Sequence, residues 1–120
     1  MRRILVAEDD PTLRVLYRLW LEHAGYDVRE AADGREALAL LARERLPDAA
    51  VLDVDMPYVD GLSVCRYLRM RGAGLRVVVI SGLVDVAETA RRAGATVVLA
   101  KPCGREELLG ALASPASAAA

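Results

Sequence analysis

The chain predicts an α/β domain built on a doubly wound parallel sheet, and three features carry that reading. Short apolar runs rich in Val, Ile and Leu alternate with amphipathic stretches from one end to the other. The runs are continuously apolar, as strands buried on both faces of a parallel sheet should be. Four of them stop at a charged or hydroxyl residue: residues 4–7 at Glu8-Asp9-Asp10, 49–52 at Asp53, 77–80 at Ser81, and 97–100 at Lys101-Pro102. Ligands on open parallel sheets bind outside the carboxyl ends of the strands, so these four ends should meet at one rim.

The elements follow in order. A first strand is expected over residues 3–7 and a helix over 12–24, where Leu13, Leu16, Tyr17, Trp20, Leu21 and Ala24 form one apolar stripe. Gly25 is placed to stop that helix. A short second strand over 27–31 leads to Asp33-Gly34, which opens a helix over 35–44; Ala37, Leu38, Leu41 and Ala42 share its apolar face, and Pro47 lies beyond its end. The third strand is read as 49–54, followed by a loop with Met56-Pro57 and Asp60-Gly61 and a helix over 62–70 that ends in Gly72-Ala73-Gly74. A fourth strand over 76–81, a helix over 84–93 ended by Gly94, a fifth strand over 96–100 and a helix over 105–113 complete five βα units. Right-handed crossovers then put helices on both faces, and five strands are expected in the order 2-1-3-4-5. Residues 114–120 have no periodic pattern and read as a disordered end or the start of a linker.

Composition narrows the function. The 120 residues suit one domain, are 54% hydrophobic and 28% charged, and carry a net charge of −1, so no basic field attracts nucleic acid or an anionic membrane. No apolar run approaches the roughly 20 residues of a membrane helix. The run after Met1-Arg2-Arg3 stops too soon for a secretory signal. A cytoplasmic location is expected. Cys65 and Cys103 lack C-x-x-C spacing and are expected to be reduced thiols, Cys65 in a helical pattern and Cys103 near the rim. The one lysine among sixteen basic residues is Lys101, directly after a strand and before Pro. That position calls for a compact, flexible ammonium rather than a planar fork.

The rim residues suggest a chemistry. Asp10 before Pro11 fits a helix N-cap, whereas Glu8, Asp9 and Asp53 converging from adjacent strands need a counter-ion. All-oxygen ligation by few protein groups suits Mg²⁺, and the lack of His at the rim argues against zinc and copper. A carboxylate beside a divalent cation is a nucleophile toward a phosphoryl group, already ionised at neutral pH. The charge on the three transferred oxygens would be met by the metal, by Lys101, and by Ser81 with the Gly82 backbone N–H. His23, the sole histidine, falls in the first helix away from the rim and is expected at the surface.

With these residues in place, the chain resembles the receiver domain of bacterial two-component response regulators over residues 2–113. The matching segments are Ile4-Leu5-Val6-Ala7-Glu8-Asp9-Asp10-Pro11, Leu52-Asp53-Val54-Asp55-Met56-Pro57 with Asp60-Gly61, Ser81-Gly82, and Lys101-Pro102. The resemblance implies a flavodoxin-like (βα)5 fold, a receiver domain over 1–113, and Asp53 as phosphoacceptor. It implies Mg²⁺ held by Asp9 and Asp53, by Glu8 through water and by the Asp55 backbone carbonyl. Ser81 and Lys101 would contact the phosphoryl group, and the Lys101-Pro102 peptide would be cis. The implied partner is a histidine kinase or histidine phosphotransfer protein, with the output partner unknown, and the implied activity is a switch that phosphorylates and dephosphorylates itself. The sequence departs from the family at the switch position, Val98, where Tyr or Phe is common, and at Cys103, where Phe is frequent. These departures bear on the aromatic readout, not on acceptor chemistry.

Val15 and Leu19 lie off the core stripe of the first helix and should face water, a surface suited to the helix bundle of a kinase or phosphotransfer protein. Two alternatives stand beside this reading. One is a receiver-like interaction module independent of phosphate, which Val98 keeps open. The other is a small phosphatase of the haloacid dehalogenase type, mimicked by Asp53-Val54-Asp55 but lacking its cap and second acidic motif. A flavin-binding flavodoxin is disfavoured, because the loop after the first strand is acidic where phosphate needs backbone N–H groups.

Overall fold

A computed structural model describes residues 2–72, 74–83 and 85–113. Its elements are β1 (Arg3–Ala7), α1 (Pro11–His23), β2 (Asp27–Ala31), α2 (Gly34–Arg43), β3 (Ala49–Asp53), α3 (Gly61–Arg71), β4 (Arg76–Ser81), α4 (Ala87–Ala93), β5 (Val97–Ala100) and α5 (Arg105–Ala113). The five strands form one parallel sheet in the order β2-β1-β3-β4-β5, as the alternation of runs predicts. Residue 84 and the tail over 114–120 lie outside the described residues.

Alternate residues of each central strand feed opposite cores. Leu5, Ala7, Ala50, Leu52, Val77 and Val79 pack under α2, α3 and α4, while Ile4, Val6, Ala49, Val51, Val78 and Ile80 pack under α1 and α5. Register holds the strand ends level: Ala7 pairs with Leu52, Asp53 with Ile80, and Ser81 with Ala100. Acidic N-caps start three helices. Asp10 accepts from the Thr12 and Leu13 N–H groups, Asp33 from Glu36 and Asp60 from Ser63.

Several expectations need correction. The fifth run is not buried on both faces: Val97, Val98 and Leu99 are half-buried and Ala100 is exposed, because β5 is an edge strand under a short helix. β2, at the other edge, is likewise only partly buried. On α1 the apolar stripe is wider than its contact line. Tyr17 and Leu21 are buried, but Leu16 and Ala24 are exposed, since α1 touches β1, β2 and α5 along a narrow strip. On α2, Ala42 is exposed and Leu40 takes a half-buried place against the core. α4 begins at Ala87, later than its apolar pattern suggests, because Asp85 adopts φ +65°, which no right-handed helix can contain. The ends of β3 and β5 shift by one residue.

Candidate functional site

The site is assembled where β1, β3 and β4 end and β5 passes into the next loop. Glu8 and Asp9 follow β1, Asp53 closes β3, Ser81-Gly82 closes β4, and Lys101 follows β5. One carboxylate oxygen from each of Glu8, Asp9 and Asp53 lies within 4.8 Å of the others. Glu8 and Asp53 are buried, at 1% and 3% exposure, while Asp9 is open to solvent. Lys101 Nζ sits 3.2 Å from Glu8 Oε1 and 3.2 Å from Asp53 Oδ1. A cavity of about 310 Å³ opens over this cluster, lined by Asp10, Asp55, Gly82 and Leu83 as well as the three acids and the lysine.

Backbone geometry brings the acids this close. The Glu8 N–H donates to the Ala31 carbonyl, extending the β1–β2 pairing past the strand end. Asp53 is held from below by α3: a Cβ on Gly61 would collide with the Asp53 carbonyl, so the helix start can pack there only as glycine. The Asp55 N–H donates to Asp53 Oδ1 at 3.3 Å, and the Asp10 N–H to Glu8 Oε2 at 3.1 Å. The Lys101-Pro102 peptide is cis, as the resemblance implies.

The cluster is electrostatically costly. Two unit charges at the 4.8 Å limit repel by about 3 kcal/mol at an effective dielectric near 20. Burial, then the neighbouring Asp53 charge, pushes the Glu8 carboxyl up to about 7, against the Asp10 N–H and Lys101, which pull it down. Burial raises Asp53 as well, although Glu8, Lys101 and the Asp55 N–H all favour its anion. Burial disfavours the Lys101 ammonium, but Asp53 and Glu8 more than offset it, so its pKa is raised. Two buried oxygens, Glu8 Oε1 and Asp53 Oδ2, make no hydrogen bond. An Asp53 oxygen without a partner, a Glu8 oxygen held only by its ion pair with Lys101 and an exposed third carboxylate, with no nitrogen or sulfur ligand among them, fit a hard divalent cation that keeps several waters, the preference of Mg²⁺.

Other residues singled out by the sequence fall into place less uniformly. Gly82 lines the acidic cavity. Ser81, buried, accepts from the Leu83 N–H at 2.9 Å and lines a neighbouring cavity of about 200 Å³ together with Val98. Val98 is half-buried and packs against the α2–α4 side of the core. Val15 and Leu19 are exposed, at 38% and 51%. His23 is on the surface. Cys65 and Cys103 are free and buried. Burial, with Glu107 nearby, pushes the Cys103 thiol up, so it joins the core rather than the rim chemistry. Arg14 on α1 is a participant that helical spacing did not single out: its Nη1 donates to the Glu8 carbonyl at 2.9 Å.

Comparison with known proteins agrees with this geometry. A family model described as the response regulator receiver domain matches residues 4–113. The chain is 50% identical over 109 residues to the response regulator MprA of Mycolicibacterium vanbaalenii, a match covering 89% of this chain and 47% of that protein. It is 48% identical to the protein of that name from Mycobacterium leprae, with the same coverage. The chain thus spans about half the length of the curated relatives it matches. Among solved structures, the Francisella response regulator 1452 receiver domain is 32% identical with a TM-score of 0.82, over 91% of each chain. A response regulator from Burkholderia pseudomallei, solved with a phosphorylated aspartic acid, a calcium ion and citrate, is 30% identical with a TM-score of 0.86. That match covers 99% of this chain and 71% of that one.

Proposed function

This chain belongs to the response regulator receiver family, and on that footing we propose that Asp53 accepts a phosphoryl group from a histidine kinase or histidine phosphotransfer protein. The carrying observation is the convergence of Glu8, Asp9 and Asp53 with Lys101 at one rim, two of their buried oxygens lacking hydrogen bonds. An Asp53 carboxylate oxygen forms the new bond to phosphorus as the donor's phosphorus–nitrogen bond breaks, and the leaving imidazole takes its proton from solvent. Lys101, 3.2 Å from Asp53, offsets the charge gathered on the transferred oxygens, and the Ser81 hydroxyl and Gly82 N–H, at the adjoining strand end, supply donors to them. Glu8, Asp9, Asp53 and the Asp55 carbonyl would hold Mg²⁺, which supplies charge neutralisation to the phosphoryl oxygens. Residues 1–113 form the receiver unit in this reading.

The exposed pair Val15 and Leu19 on α1 gives the donor's helix bundle a place to dock. Among the described residues no helix is long and apolar enough to cross a membrane, and we place the switch in the cytoplasm, where such kinases expose their phosphohistidine. Val98 leaves the aromatic readout without its ring, so the phosphorylated state is read through other contacts.

Incubation with Mg²⁺ and an acyl phosphate, followed by intact-mass measurement, tests the acceptor. One phosphoryl adduct is expected in the wild type and none in Asp53→Asn; an adduct that persists in the variant overturns the assignment. Val15→Asp with Leu19→Asp should slow transfer from the kinase while leaving acyl-phosphate labelling intact, and equal loss of both would rule out docking there.

A further inference from the structure

We infer that Arg14 is a positioning residue for the acidic rim, oriented by Glu30 and acting through the Glu8 carbonyl. The inference rests on the reading of that rim as a cation and phosphoryl site. Arg14 lies at the end of the first turn of α1, where the positive end of the helix disfavours a cation, so helix stability does not explain it. Its side chain runs back toward the helix N-terminus, as helical geometry dictates. There Nη1 donates to the Glu8 carbonyl at 2.9 Å while Nε pairs with Glu30 Oε1 on β2 at 3.3 Å. Glu30 is fixed in turn by Arg18, whose Nε lies 2.8 Å from Oε2. The Arg14 side chain is 19% exposed.

The consequence reaches Asp9. The Glu8 carbonyl and the Asp9 N–H and Cα belong to one rigid peptide plane. Among the described residues no hydrogen bond or ion pair engages the Asp9 carboxylate, so the backbone's hold on it is the direction of its Cα–Cβ bond, which that plane and the next set. The preceding peptide plane is held by the Glu8 N–H bond to Ala31; the Arg14 bond holds this one. A planar fork suits this double task because it holds a hydrogen bond to the carbonyl and an ion pair with Glu30 in one rigid geometry, which an ammonium does not.

Titration of Mg²⁺ into the metal-free full chain by calorimetry, well below the unfolding temperature, tests the assignment. Loss of an outer partner of a metal site weakens binding about 10-fold or more. Arg14→Ala should therefore bind Mg²⁺ about 10-fold more weakly, Arg14→Lys should recover part of the loss, and Glu30→Gln should fall between wild type and Arg14→Ala. A role confined to fold stability would lower the unfolding temperature of Arg14→Ala and leave its Mg²⁺ affinity unchanged, which overturns the inference. If Arg14→Ala does not fold, unchanged affinity in both Arg14→Lys and Glu30→Gln overturns it equally. A wild-type chain that takes up no Mg²⁺ defeats the proposed function itself, and this inference with it.

Discussion

At the N-terminal end of β1 and β2, charges of both signs alternate. Arg3 lies 3.8 Å from Asp27 and 3.6 Å from Glu44, and Arg29 lies 2.9 Å from Asp27 and 3.4 Å from Glu44, while the Arg3 N–H donates to Asp48 at 2.8 Å. At the opposite end of β1, three acids gather beside one lysine, which pairs with the two buried ones, Glu8 and Asp53. The same side-chain types thus serve two purposes within the length of one strand. Where opposite charges match and remain partly solvated, they add a little stability and need nothing more. Where like charges are gathered and desolvated, the folded chain carries a cost that only a ligand or a chemical change relieves. That contrast separates a structural ion-pair network from a site without reference to any relative.

The strongest challenge to this contrast is pH. With Glu8 held at about 7 against an ordinary 4.5, the folded chain retains a proton across that interval that the unfolded chain has released. Stability of the metal-free protein must then fall as pH rises from about 4.5 toward 7, on the order of 3 kcal/mol, and the raised Asp53 adds in the same direction. Urea unfolding at pH 5 and pH 7.5 in the presence of a chelator reads this directly. Constant or rising stability would mean that the rim is not strained. Mg²⁺, binding the folded state alone, should oppose the decline at the higher pH.

Removing the shared cation comes next. Lys101→Met keeps much of the apolar stem but leaves Glu8 and Asp53 facing each other without an ammonium. Breaking a buried pair costs several kcal/mol, and since Lys101 is 24% exposed a loss of about 2 kcal/mol is expected at pH 7.5 without metal. Denaturant midpoints at pH 5 and 7.5 should show the loss growing with pH, because without the ammonium both folded carboxyls hold their protons more tightly. The reverse change, Asp53→Asn, removes one of the repelling charges and offers an amide to a neighbouring carboxylate. It should stabilise the metal-free chain by about 1 kcal/mol. Thermal unfolding of the chelated protein would show a raised midpoint; a lowered one would mean the cluster is not under electrostatic strain.

What the sequence disclosed divides along physical lines. Central strands and the helices between them are marked by local pattern, and once the strands are parallel, the residues after them must share a rim. Glu8, Asp53 and Lys101 were therefore legible one by one. Exposure of β5 was not, because an edge strand differs from a central one in its neighbours and not in its own Val-Val-Leu-Ala. The start of α4 depends on the left-handed turn at Asp85, which the surrounding apolar residues hide. Arg14 escaped notice because its contact runs back across the helix start to Glu8, outside the spacing that defines a helix face. Ser81 could be placed at the right strand end, but not on the cavity that it lines.

The smallest effect is the most diagnostic of the other end of the sheet. Arg29→Ala removes two ion pairs at once, to Asp27 at 2.9 Å and to Glu44 at 3.4 Å, yet all three side chains are more than a third exposed or close to it. Such pairs gain little Coulomb energy over their hydrated partners and lose side-chain entropy in forming. The released acids also keep Arg3 within 3.8 Å and 3.6 Å as a second cation, so neither is stranded. A loss of about 0.5 kcal/mol is expected, shrinking further in 1 M salt as screening shortens to a few ångströms. Urea unfolding of Arg29→Ala at low and high salt measures both quantities. A loss as large as that of Lys101→Met, or one indifferent to salt, would mean that the two ends of β1 are governed by the same buried electrostatics and that pairing, rather than burial, sets the cost at the rim.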